Sequence, residues 1–241
     1  MKKARKASFL PWLTIAAGVA GGALARWFYT SGINYRNLIV AGHPSAILLL
    51  LFSAVYFGVL LLSVRTLPRQ TCLPHASVLQ MIGCFVGAVG IAITGVQALS
   101  RGDFLSILTL ILGVLAAGCL IFAGIRRLFG LSAHYLLYGV LTVFFVVLGL
   151  NRCRVWGSQA QVLLYFFCLL AQIFLMLTSY QFTACACGEK NLRSFVFCCH
   201  AAVFCCCTAF WADFDPLYLT AAIWLVSDGC FCHLQKKESK E

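Results

Sequence analysis

Uninterrupted apolar runs of about 18 residues or more recur along almost the whole chain. That is the length a helix needs to cross a hydrocarbon core of roughly 30 Å. The runs are continuous rather than alternating, so they fit helices that satisfy their own backbone and not the strands of a closed barrel. Composition agrees. Of the 241 residues, 62% are apolar and 10% charged, against roughly 25% charged in ordinary soluble domains. So few charges cannot cover a surface facing water. The expectation is an all-α, polytopic integral membrane bundle in which residues 1–241 form a single transmembrane domain.

Eight spans are expected, at approximately residues 9–29, 45–64, 77–99, 104–124, 132–150, 160–183, 194–211 and 217–234. The last two are short and rich in Cys. Ala23-Leu24-Ala25 resembles a small-residue cleavage site, but apolar spans follow directly, which favours an uncleaved first helix. No internal repeat, low-complexity linker or soluble domain interrupts the pattern. The longest loop is expected near residues 30–44.

Charge sets the expected orientation. With the N-terminus inside, thirteen of the 18 Lys and Arg residues fall on the inner side, and Arg26, Arg36, Arg101, Arg152 and Arg154 on the outer side. Cytoplasmic loops carry such an excess. Both termini are therefore expected to be cytoplasmic, in the cell membrane. Arg152 and Arg154 are the main exceptions. The net charge of +11 sits at the ends of apolar runs, where it meets anionic headgroups on the cytoplasmic side. No basic patch with interleaved stacking aromatics points to nucleic acid. Trp27, Tyr29, Trp156 and Trp211 are expected at the outer boundary and Trp12 at the inner one.

Small residues recur at helical spacing in the first span (Thr14, Gly18, Gly22, Ala25) and in the third (Gly83, Gly87, Gly90, Thr94). Such stripes let helix backbones approach closely in lipid. These spans should make the tightest contacts, with each other or with a second copy of the chain.

Catalytic motifs are missing: the sequence has no H-E-x-x-H, no G-x-S-x-G and no phosphate-binding G-x-x-x-x-G-K-[ST]. Of seven carboxylates, only Asp228 lies clearly within an expected span. An ionisable residue there marks an ion or proton site or, as preferred, an Asp reaching a Lys or Arg near the inner headgroups. Asp213 and Asp215 look like a paired-carboxylate site, but Asp215-Pro216 reads more simply as an N-cap and first helical residue. Arg101 and Asp103 should compensate each other across Gly102. Arg126 and Arg127 should touch lipid phosphates. Gln80, Gln97, Gln161, Gln172 and Gln181 should hydrogen-bond between helices, and some of them, with Tyr56 and Thr94, offer the elements of a polar solute path.

Fourteen cysteines are the remaining oddity, seven of them within residues 184–207. Cys185, Cys187, Cys198, Cys199, His200, Cys230, Cys232 and His233 gather at the expected inner side, and thiolate with imidazole suits zinc or copper(I). Against this, C-x-C residues on a helix diverge by about 200°, and neither pair has C-x₂-C spacing. Unreactive Cys packs as a small, polarisable hydrophobe, and Cys198/Cys205 and Cys199/Cys206 repeat every seven residues as packing positions would. Packing is the preferred reading, with no cofactor expected.

Three function classes follow. The leading one is a non-catalytic membrane component, such as an accessory or assembly subunit, with a membrane-protein partner or a second copy of the chain. The next is a permease or channel for a small solute. The third is a thiol-based metal handler or intramembrane enzyme.

Overall fold

The computed structural model describes residues 2–33, 43–67, 78–129, 131, 133–157, 165–188 and 192–230. Eight α-helices follow one another: α1 (Lys2–Ser31), α2 (Pro44–Arg65), α3 (Val78–Ala98), α4 (Phe104–Leu128), α5 (Tyr135–Gly157), α6 (Phe166–Ala186), α7 (Leu192–Asp213) and α8 (Pro216–Leu225). Seven are long and apolar enough to cross a membrane, so the chain is a multi-pass membrane protein of the all-helical class.

The eighth expected span, residues 217–234, is described as far as Cys230: ten α-helical residues pass into a five-residue π-helical turn, Val226–Cys230. Residues 231–241, including Cys232 and His233, lie outside the described residues, as does most of the expected loop at residues 30–44.

Local chemistry explains the helix starts. Pro44 occupies the first turn of α2, and the Ser45 N–H donates to His43 Nδ1 at 3.3 Å. Gly102, at φ 68°, turns the chain after a 3₁₀ turn, and the Asp103 carboxylate then caps α4 by accepting from Ser106 N. Asp215 caps α8 by accepting from Leu217 N at 2.8 Å, with Pro216 at the first helical position. Each is a short polar cap or a preset φ placed where helix N–H groups lack partners.

Six helices close a ring. α3 packs on α4, α4 on α5, α5 on α6, α6 on α7, α7 on α8, and α8 returns to α3. α1 and α2 lie outside this ring against α7, so α7 is covered on both sides and 72% of its span is buried. The same figure for α2 is 28%, and its outward residues Ile47, Leu50, Leu51, Val55 and Leu62 are exposed apolar side chains suited to lipid. The inside of the ring is filled by Phe144, Phe182, Trp224, Leu120, Leu141 and Leu175, all buried.

The small-residue stripes meet other helices and not each other. Gly18 of α1 faces Cys207 of α7, where a Cβ would stand 3.1 Å from the Sγ, and Gly22 faces Trp211. In α3, Gly83, Gly87 and Gly90 face Ser227, Trp224 and Thr220 in antiparallel register along α8. A Cβ at Gly87 would stand 2.9 Å from the Trp224 Cβ, so only glycine permits this approach. On the other flank of α3, Gly95 meets Gly113 of α4, and Cys84 sits over Gly124.

Candidate functional site

The end of the bundle where α1 begins is the near end, and the end where α1 finishes is the far end. At the far end a cleft of about 340 Å³ opens between α3, α5, α6 and α8. Thr94 and Gln97 of α3, Asn151 and Arg152 of α5, and Asp215 before α8 supply polar groups. Trp156, Tyr165 and Phe214 supply aromatic walls. Trp156 and Tyr165 are stacked, with centroids 5.2 Å apart.

An ion pair organises this cleft. Arg152 in the last turns of α5 pairs with Asp215, and both side chains are 10% exposed. Arg152 also donates to the Tyr218 hydroxyl at 2.7 Å and lies over that ring, 5.1 Å from its centroid. Thr94 donates to Asp215 at 3.3 Å. A carboxylate thus caps its own helix, accepts from α3 and anchors a guanidinium from α5 at once. Asn151 Nδ2 donates to Thr109 at 3.4 Å, while its buried Oδ1 has no partner among the described residues.

A second polar node lies toward the near end. Arg127 of α4 pairs with Asp228 in the π turn, with side chains 5% and 0% exposed. Trp224 donates to Asp228 at 3.3 Å. The guanidinium lies over Tyr138 of α5 and Phe182 of α6, 5.6 and 5.7 Å from their centroids. Tyr138 stacks on Phe182, which stacks on Trp224. Gln80 and the Tyr138 hydroxyl are buried there without partners among the described residues.

These contacts correct one expectation. Arg127 is turned inward onto Asp228 and does not face lipid phosphates, because a buried carboxylate needs a charge partner. Asp228 does reach an arginine, as expected, and both side chains are buried in the bundle. Asp103 pairs with Arg154 of α5; the Arg101 side chain lies outside the described residues. Trp156, in the last turn of α5 at the far end, is buried at 4% exposure and forms a wall of the cleft. Tyr56 lies apart from the cleft.

Several of the clustered cysteines lie buried in helix contacts. Cys199, Cys205 and Cys206 are fully buried, and Cys198 and Cys230 nearly so. Cys199 rests on Gly229, where a Cβ would stand 2.7 Å from its Sγ. Cys185 is partly buried and Cys187 exposed. Cys187 keeps helical backbone angles, φ −76° and ψ −5°, so these two side chains still diverge. His200 Nδ1 and the Thr14 hydroxyl are 2.6 Å apart, and the Tyr56 hydroxyl donates to the His200 carbonyl at 3.1 Å, tying α1, α2 and α7 together. Among the described residues no three His, Cys, Asp or Glu side chains form a group that could hold a metal ion. Cys232 and His233 lie outside those residues.

No protein-family model matches the chain, and no curated protein or solved structure is significantly similar to it.

Proposed function

We propose that this multi-pass membrane protein is a permease for a small polar solute, and that the far-end cleft is where the solute binds. The cleft carries the proposal. Its volume of about 340 Å³ lies within the range of small-ligand sites, and its few convergent polar groups between aromatic walls are the usual composition of such sites. The cleft lies among α3, α5, α6 and α8 of the six-helix ring, so a bound solute would sit at one end of the bundle. Uptake into proteoliposomes of labelled small polar solutes tests this. Protein-dependent, saturable uptake is expected, and Gln97→Trp, which fills the cleft, should abolish it.

A second reading keeps the chain as a non-catalytic accessory or assembly subunit. It is favoured by the packed interior of the ring and by the broad apolar outer surface of α2. In that case no solute would be taken up, and α2 would seat a membrane-protein partner.

A further inference from the structure

The two polar sites repeat one set of groups. At the far end stand Arg152, Asp215, the Tyr218 ring and the Asn151 amide; at the near end stand Arg127, Asp228, the Tyr138 ring and the Gln80 amide. In both, the arginine comes from a helix that is not a ring neighbour of α8, and the aspartate from one end of α8. α8 does not pack side by side with α4 or α5, so each ion pair reaches across the ring interior. The two aspartates lie thirteen residues apart, about 20 Å along one helix. Trp224, Phe144 and Leu120 of the ring helices are buried.

Resting on the reading of the far-end cleft as the solute site, we propose that the Arg127–Asp228 node is a second station for the same solute, and that both stations take a small zwitterion. The chemistry follows from charge balance. Each station holds one guanidinium and one carboxylate withdrawn from water and compensating each other. A solute that replaces their mutual contact must offer an anionic group to the arginine and a cationic group to the aspartate. A solute with a single charge leaves one buried ion uncompensated, which is the costly arrangement. The Tyr138 hydroxyl and Gln80 amide, buried without partners among the described residues, are the groups such a solute would satisfy at the second station, since native structures rarely leave buried polar atoms unpaired.

Cys84 reports on the second station. It is fully buried and packs over Gly124, three residues before Arg127 on α4. The test uses the full chain in lipid nanodiscs and has two arms. In the first, thermal unfolding is followed with alanine, propionate or isopropylammonium at equal concentrations. Alanine should raise the unfolding temperature of the wild type, and the singly charged probes should not. In the second, a small hydrophilic thiol reagent is added and labelling of Cys84 is resolved by peptide mass spectrometry. Asp228→Asn should speed labelling about tenfold or more. Arg127→Lys keeps opposite charges and should raise it several-fold, so it carries this arm if Asp228→Asn does not fold. Stabilisation by propionate or isopropylammonium equal to that by alanine overturns the solute class. Unchanged Cys84 labelling in the folded variants, with alanine still binding, overturns the second station alone. No stabilisation of the wild type by any of the three probes removes the far-end solute site, and the second station with it.

Discussion

Arg152 and Asp215 form an ion pair with both side chains 10% exposed, joining the end of α5 to the start of α8 across the ring. The contact accounts for the main exception to the charge asymmetry of the loops. Arg152 is neutralised by Asp215, and its neighbour Arg154 by Asp103, so neither contributes a free positive charge at the far end.

Because the Arg152–Asp215 pair is withdrawn from water, removing one partner leaves the other uncompensated. Arg152→Ala or Asp215→Asn should therefore lower stability by about 3–5 kcal/mol, read as the shift of the unfolding midpoint in a detergent titration. Asp215→Asn keeps much of its capping ability, so a loss of that size would belong to the ion pair. A loss below about 1 kcal/mol would contradict the buried pairing.

Two native thiols test orientation. Cys153 near the end of α5 and Cys187 at the end of α6 are both exposed, at opposite ends of the bundle. With the N-terminus inside, a membrane-impermeant maleimide added to intact cells should label Cys153 and spare Cys187, and broken membranes should expose both. The reverse pattern would invert the bundle.

Glycine contacts discriminate interior from lipid-facing helix surfaces. Gly87→Ala places a Cβ 2.9 Å from the Trp224 Cβ and 3.2 Å from Leu120, and should cost about 1–3 kcal/mol by forcing α3 and α8 apart. Gly58→Ala meets nothing within 4 Å and should be neutral or gain up to about 1 kcal/mol from helix propensity. Equal effects of the two substitutions in the same unfolding assay would contradict the α3–α8 register.

The cysteines should behave as packing groups. Cys205→Ala and Cys206→Ala remove small buried side chains and should each cost about 1 kcal/mol, whereas Cys199→Leu must displace Gly229 and should cost more. Cys185→Ser with Cys187→Ser should leave the metal content of purified protein unchanged. Metal bound stoichiometrically in the wild type and lost in that double variant would restore the thiol site.

The spans were legible because burial in lipid demands unbroken apolar length, and hydropathy reports it directly. The Asp215 cap and the Gly102 turn were legible because short-range backbone chemistry fixes both. The ring and its ion pairs were not. Arg152 and Asp215 are 63 residues apart, and nothing in the hydropathy of α5 or α8 states which helices become neighbours. The signals present were indirect: two arginines on the wrong side of the charge rule, and one aspartate inside a span. The glycine stripe of α3 announced a close contact without naming α8 as its partner, since a stripe records only that the opposing surface comes near. The π turn at Val226–Cys230 was not legible, because hydropathy does not report which carbonyl each N–H meets.

Binding of alanine to the wild type in lipid nanodiscs, compared with Gln97→Trp, tests the central claim most directly. The far-end cleft predicts a saturable rise in unfolding temperature for the wild type and none for the variant, whose added indole occupies the cleft. An equal rise in both proteins, or none in either, would contradict it.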